Sequence, residues 1–265
     1  MVFPERLTNE GEGPKPILVL GKVRQLMDAF TVEQPQLTLT EIRQATGLPS
    51  TTCARLARDL VRHGLLARDG DRYRVGTAVL RWSASALQAL DLVSVLSPVL
   101  ADLRDATGES AALYVRQGLM RTCVAVAPTR HQVIWQLHVG LSTPLHVGSG
   151  GRALLAFDED ATRQVLSRQR VGFTPHTITR ASQLRSVLAE TRRSGVAISY
   201  CELDSDVGGV SAPVFGSGGV LASLGIGGPS QRFTPEHVAG YVPAVLAAAR
   251  EGSRLMGGEL PPVSG

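Results

Sequence analysis

The sequence predicts an α+β protein in two parts. A small winged helix-turn-helix comes first, then a linker helix leads into a larger domain built on a mostly antiparallel sheet. Three observations carry that prediction. Residues 39–64 place two short amphipathic helices on either side of the turn Thr46-Gly47-Leu48-Pro49. Two short alternating runs, 65–68 and 72–75, flank Asp69-Gly70, a strong local signal for a β-hairpin. Beyond Gly108 the helical period gives way to strand-like runs at 111–117, 121–127 and 132–138, separated by Gly118 and by Pro128-Thr129.

In chain order, residues 1–16 are charged and rich in Gly and Pro, and read as a disordered tail. Residues 17–30 carry Leu20, Val23, Leu26, Met27 and Phe30 at helical spacing, which predicts a first helix packed on the following pair. In the second helix of that pair, Cys53, Leu56, Leu60 and Val61 form the apolar stripe. Its first residues are Ser50, Thr51 and Thr52. Residues 77–90 are helical and too apolar for a free linker: Leu80, Trp82, Leu87 and Leu90 need cover from their own domain or from another subunit. A further helix is expected over 92–107. After Pro144-Leu145-His146-Val147, the run Gly148-Ser149-Gly150-Gly151 leads into a short helix, 152–157, and helices follow at 160–168 and 181–194. Strands at 209–215 and 220–227 flank a turn at 216–219, and a helix over 235–256 closes the domain. The expected boundaries are 1–16 for the tail, 17–76 for the winged helix-turn-helix, 77–91 for the linker helix, 92–256 for the second domain and 257–265 for a flexible tail.

At 265 residues the chain suits two domains, and 43% hydrophobic with 19% charged residues is ordinary for a globular protein. Basic residues number 27 against 23 acidic, a formal net charge of +4, and the sequence pI is about 9.3. The excess is local. Between Arg43 and Arg74 stand seven arginines (43, 55, 58, 62, 68, 72 and 74) against Asp59, Asp69 and Asp71. A charged face is often only a solvated face. Here it coincides with a helix-turn-helix, a hydroxyl cluster at the second helix and a basic hairpin, which together point to double-stranded DNA. Lys15 and Lys22 are the only lysines, a bias that a GC-rich coding sequence explains more simply than phosphate binding does.

The composition and motifs set several chemistries aside. Cys53, Cys123 and Cys201 lie far apart with no C-x-x-C, which suits a reduced cytoplasmic protein. The first residues lack the apolar core of a signal peptide, and no apolar run is long enough for a membrane span. The histidines (63, 131, 138, 146, 176 and 237) show no metal spacing, so neither metal nor cofactor is expected. Gly148-Ser149-Gly150 is not a nucleophile elbow, because Val147 stands where G-x-S-x-G needs glycine. It lacks the Lys-Ser/Thr ending of a phosphate loop. It also lacks the second strand with an acidic end that a dinucleotide fold requires. What survives is a helix N-terminus, a good place for an anion.

Several stretches resemble the IclR family of transcriptional regulators. In the first part they are LTEIRQATGLPSTTCARL, Gly64-Leu65-Leu66 and Tyr73-Arg74-Val75-Gly76. In the second they are PLHVGSGGRALLAF (144–157), Thr177-Ile178-Thr179, AETRRSGVAIS (189–199), VSAPVF (210–215) and SLGIGGPSQRFT (223–234). The resemblance spans about residues 16–252. It implies a winged helix-turn-helix, a linker helix and an effector domain of GAF-like fold. It also implies dimers or tetramers and a small organic acid or aromatic metabolite as ligand.

On that resemblance the recognition helix is 50–62. The residues expected at DNA are Ser50, Thr51, Thr52, Arg55 and Arg58, with Arg68, Arg72 and Arg74 on the wing. Ala54 stands where a larger side chain is usual, which implies an unusual operator. The effector site falls on Trp135, Ser149, Gly150, Ser199, Val207, Gly209, Gly225 and Gly227. Glycine at 209, 225 and 227 implies either a wider pocket for a bulkier ligand such as an aromatic acid, or simply close strand packing. For an aromatic acid, Trp135 and Tyr114 offer stacking surface and Arg116 or Arg152 a carboxylate partner. His146 and Cys201 lie beside this region, each with a structural reading alongside a ligand-facing one. The competing function class is an enzyme or pure ligand-binding module whose winged domain serves protein contacts.

Overall fold

The computed structural model describes residues 17–88, 91–132 and 137–261. The chain divides into two compact units, Met1–Ala89 and Leu90–Gly265.

In the first unit the described elements are α1 (Leu18–Met27), β1 (Gln36–Thr38), α2 (Leu39–Thr46), α3 (Ser50–Arg62), β2 (Leu66–Asp69), β3 (Arg72–Val75) and α4 (Ala78–Gln88). Helix α2 starts at a capping box. The Thr38 N–H donates to Glu41 Oε2 at 2.7 Å, and the Glu41 N–H donates to Thr38 Oγ1 at 3.3 Å. It stops at Gly47, whose φ of +67° is the left-handed C-cap that glycine adopts without strain. Leu26, Ile42, Cys53, Leu56, Leu60, Leu66 and Tyr73 form one core, so the stripe read from α3 is its buried side. The hairpin pairs Asp69 with Arg72, which leaves Gly70-Asp71 as the two loop residues. Gly70, at φ +60°, takes the first loop position, where a turn matched to strand twist needs positive φ. Strand β1 was not expected from the sequence; it joins the wing to give the antiparallel order β1-β3-β2.

The wing ends hard against α3. A Cβ at Gly76 would overlap the Gly64 carbonyl, so only glycine allows this approach. The Gly76 N–H donates to the Leu65 carbonyl at 2.8 Å, and the Ala78 N–H donates to the Gly64 carbonyl at 3.3 Å. The first turn of α4 is therefore tied by main chain to the end of α3.

The second unit opens with α5 (Asp91–Thr107). Strands β4 (Ser110–Gln117), β5 (Met120–Ala127) and β6 (Ser142–Pro144) follow, then α6 (Gly148–Leu155), α7 (Glu159–Ser167) and α8 (Ala181–Ser194). Strands β7 (Ala197–Tyr200), β8 (Val207–Gly216) and β9 (Gly219–Pro229), a short 3-10 turn and α9 (Pro235–Leu255) complete it. These six strands form one antiparallel sheet, ordered β6-β5-β4-β9-β8-β7. Alternation along the strands assigns the two faces. Leu113, Val210, Ala212, Val214, Leu224 and Ile226 pack with α5 and α9. Ala112, Tyr114 and Cys123 face the other way, into a cluster with Leu145, Leu154 and Leu155 and with residues of α7 and α8.

One local reading changes. The helix expected at 152–157 starts four residues earlier, at Gly148, so the glycine run is its first turn and not a loop before it. The strand expected over 132–138 falls largely outside the described residues, as does Trp135. Strands β6 and β7 were also not expected.

Candidate functional site

The exposed side of α3 is polar and basic. Ser50, Thr51, Arg55 and Arg58 are exposed or half-buried, as are Thr52 and Ala54, and Thr51, Arg55, Arg58 and Arg62 recur at spacings of four, three and four along one side. Arg62 lies 3.6 Å from Asp59. Arg55 and Arg58 make no hydrogen bond or ion pair among the described residues, so their guanidinium groups are available to an outside partner. The wing divides its arginines. Arg72 and Arg74 share the outward face of β3, with Arg72 3.9 Å from Glu41. Arg68 is paired with Tyr73, stands 5.5 Å from that ring's centroid and donates to the Gly70 carbonyl at 2.8 Å.

In the second unit, most of the residues expected at the effector site do gather in one layer, between α6 and the sheet. Register places Ser199 opposite Gly209, Gly209 opposite Gly227, and Ser211 opposite Gly225. By strand parity Val207, Gly209, Ser211, Ser223, Gly225 and Gly227 share the face that α6 covers. Ser149 on α6 is 2.9 Å from Ser211, Oγ to Oγ, and Ser223 Oγ donates to the Gly150 carbonyl at 2.8 Å. Val207 is half-buried at the strand's start. Gly209 and Gly225 serve close approach and do not open a wider wall there. A Cβ at Gly225 would overlap the Val210 carbonyl, and one at Gly209 would stand 2.9 Å from Ser149 Oγ.

The two arginines expected to meet a carboxylate are already paired. Arg116, at the open end of β4, lies 3.0 Å from Asp158. Arg152, 1% exposed, is ion-paired with Glu202 and donates to the Ile198 carbonyl; its Nε has no acceptor among the described residues. Glu202 also accepts the Gly148 N–H at 3.1 Å. His146 is structural in geometry: its Nε2 sits 3.0 Å from the Val171 carbonyl. Burial holds its pKa below 6.5, against the opposing effect of that hydrogen bond.

Sequence reasoning missed Arg121. It is 5% exposed on β5, its Nε donates to Thr143 Oγ1 at 2.7 Å, and its Cζ lies 4.4 Å from the centroid of the Tyr114 ring. Its terminal nitrogens lie against the first turn of α6. A Cβ at Gly150 would collide with Nη1 and stand 2.9 Å from Tyr114 Cδ2, and one at Gly148 would be 3.1 Å from Nη2. No carboxylate of the described residues lies within ion-pair distance. Burial pushes the Tyr114 hydroxyl up to about 12, with Arg121 pulling the other way, and pushes the Cys123 thiol up to about 12 as well. The cation–π contact contributes about 0.5–2 kcal/mol, whereas burying an ion costs several kcal/mol. Tyr114 and Thr143 therefore do not balance this charge. Parity was the available signal: Arg121 is two residues before the buried Cys123 on the same strand.

Among the described residues no group of three His, Cys, Asp or Glu is placed to hold a metal, and no helix is long and apolar enough to cross a membrane. The family models settle what this pair of units is. Residues 19–70 match the IclR helix-turn-helix domain, and residues 84–254 match the C-terminal domain of the bacterial transcriptional regulator IclR. The chain belongs to the IclR family. It is a ligand-responsive DNA-binding regulator in kind.

Among IclR-family relatives, the HTH-type transcriptional regulator KipR of Bacillus subtilis is 27% identical over 240 residues, 89% of this chain and 96% of its own. The crystal structure of an IclR transcriptional regulator from Alicyclobacillus acidocaldarius is 28% identical, with a TM-score of 0.75 over 91% of this chain and 98% of that one. An IclR homologue from Microbacterium hydrocarbonoxydans, crystallised with 4-hydroxybenzoate, is 24% identical with a TM-score of 0.74, covering 89% and 98% of the two chains; it shares the fold.

Proposed function

We propose that this regulator reads a double-stranded operator with α3 and the wing, and that a small organic acid held beneath α6 sets when it does so. The observation that carries the DNA half is the free basic side of α3, where Arg55 and Arg58 have no internal partner among the described residues and stand beside Thr51 and Thr52. In this reading Ser50, Thr51, Thr52, Arg55 and Arg58 enter the major groove, and Arg68, Arg72 and Arg74 meet phosphates. Half-buried Ala54 offers only a methyl contact, such as one to thymine.

The effector half rests on the layer formed by Ser149, Gly150, Ser199, Val207, Gly209, Gly225 and Gly227, with Trp135 assigned to it by family resemblance. A carboxylic acid, aromatic acids included, matches a helix N-terminus with a buried arginine beside it. Exposed apolar residues on α1 and α4, among them Leu18, Leu20, Leu80 and Trp82, support a homodimer or a tetramer. In an oligomer, ligand binding would change the spacing of the two recognition helices through α4. No catalytic residue is assigned, and a regulator of this kind works in the compartment that holds the DNA.

The test is binding to DNA from the protein's own promoter region over a salt series. Replacing Thr51, Thr52 and Arg55 by Ala should weaken specific binding by about 1–3 kcal/mol for each base-reading side chain removed, and should lower the salt slope by about one for each phosphate interaction removed. Unchanged binding would reject α3 as the reader. A footprint indifferent to 4-hydroxybenzoate and to short-chain acids would reject the effector half.

A further inference from the structure

We propose that Glu41 competes with the DNA backbone for Arg72, and that this carboxylate sets how tightly the wing holds DNA of any sequence. The proposal rests on the reading above that the wing arginines meet phosphates, and it adds a residue of α2 that the reading does not use.

Arg72 passes over the acids nearest to it in the hairpin. Asp71 precedes it in the loop and Asp69 stands opposite it in the register, yet neither makes an ion pair with it among the described residues. The acid it meets is Glu41 in the first turn of α2, with Nη1 3.9 Å from Oε2. Its side-chain hydrogen bond is long as well: Nη1 donates to the Gln36 carbonyl at 3.4 Å. Both side chains are half exposed, Arg72 at 49% and Glu41 at 44%. An exposed pair at that distance is weak, so a second anion can draw the guanidinium away. A phosphate oxygen offers the shorter, charge-assisted hydrogen bond that Glu41 does not make with it.

Glu41, by contrast, is fixed in place. Its Oε2 accepts the Thr38 N–H at 2.7 Å and the Thr38 hydroxyl at 2.9 Å, the side-chain half of the capping box that starts α2. Those two hydrogen bonds hold its carboxyl below the usual carboxylate range, with Arg72 adding a smaller pull, so it stays charged at neutral pH. A fixed anion thus stands beside a loosely held cation. When the wing docks, Arg72 turns from Glu41 to a phosphate or divides itself between the two, and the contact is weaker than an unrivalled arginine would make. Arg74, two residues along the same face of β3, has no acid partner among the described residues and supplies the comparison. A capping box accepts Gln as well as Glu at this position, so the cap does not require the charge. Phosphate contacts carry no sequence information; the rivalry therefore lowers affinity for all DNA and leaves sequence preference to α3.

The experiment measures binding of the full chain to its promoter fragment and to an unrelated duplex of equal length over a salt series. Glu41→Gln keeps an acceptor for the Thr38 N–H and removes the charge. It should bind both duplexes about twofold to fivefold tighter, with a salt slope steeper by up to about one. The same gain should appear in an Arg74→Gln background and vanish in an Arg72→Gln background, whereas a change in fold would act in both. Glu33→Gln is the control for net charge: Glu33 lines the same groove as Glu41 and Arg72, and its change should leave affinity as it was. No gain in Glu41→Gln would overturn the proposal. So would a gain that persists without Arg72, an equal gain from Glu33→Gln, or a gain confined to the promoter. The wing reading has its own result, weaker binding of Arg74→Gln to both duplexes. If neither Arg72→Gln nor Arg74→Gln weakens binding, the wing reading falls and takes the proposal with it.

Discussion

Replacing Glu202 by Gln removes the carboxylate of the buried Arg152–Glu202 pair while keeping the side chain's size. Arg152 is 1% exposed and Glu202 5% exposed, and the guanidinium already has an unsatisfied Nε. After the change Arg152 retains the Ile198 carbonyl but has no counter-charge, and Arg121 lies beyond the same turn of α6. Breaking a buried pair on one side costs about 3–5 kcal/mol. For a unit of this size each kcal/mol lowers the melting temperature by roughly 2–4 °C, so the fall should be about 6–20 °C. Differential scanning calorimetry on the transition of the second unit measures it. The double change Glu202→Gln with Arg152→Met should recover most of the loss, because it removes the orphaned charge. If Glu202→Gln costs less than about 1 kcal/mol, as an exposed pair would, or if the double variant is no better than the single, the reasoning about this ion pair is wrong.

Two further outcomes follow from the same layer. Gly151→Ala places a methyl group into the Leu145 carbonyl, and should destabilise the second unit by about 1–3 kcal/mol in urea unfolding; a neutral result would mean that α6 shifts freely. His146 should make stability fall on acidification. Its folded pKa lies below 6.5 because of burial, with Arg170, Arg152 and Glu202 as the charges acting on it. The unfolded chain therefore takes up the proton first, so the contribution is complete above the unfolded value and is lost as pH falls through the folded one. Urea midpoints measured from roughly pH 8 down to roughly pH 5, a window that brackets the ordinary histidine value, should slope less in His146→Gln; equal slopes would dismiss the histidine as the source.

Much of the first unit was legible because its signals are local. The turn at Gly47 and the spacing of Cys53, Leu56 and Leu60 mark α3 and its start at Ser50, while its end at Arg62 came from the family resemblance. Strands β1, β6 and β7, only three or four residues long, were hidden because so short a run has no readable period and gains its partners from elsewhere in the chain. The start of α6 was hidden for another reason. Glycine has low helix propensity, so Gly148–Gly151 resembles a loop although packing against the sheet holds it helical. The glycines at 209 and 225 look like removed pocket side chains; only the facing atoms of Ser149 and the Val210 carbonyl reveal that they permit close packing. Arg121 was overlooked because parity with Cys123 places it on the buried face of β5 but says nothing of whether an acid faces it. Sequence proximity favours Arg116 and Arg152, and tertiary pairing with Asp158 and Glu202 removes both.

The glycine at 76 has a mechanical consequence. Because its missing side chain lets the strand seat on Gly64, and because the Ala78 N–H closes onto the same carbonyl, no slack chain separates α4 from the end of α3. A torque applied to α4 would turn α3 as part of one stiff lever, with the wing as its fulcrum. Two extra flexible residues at this joint would act as a universal joint, and α4 could then turn without turning α3.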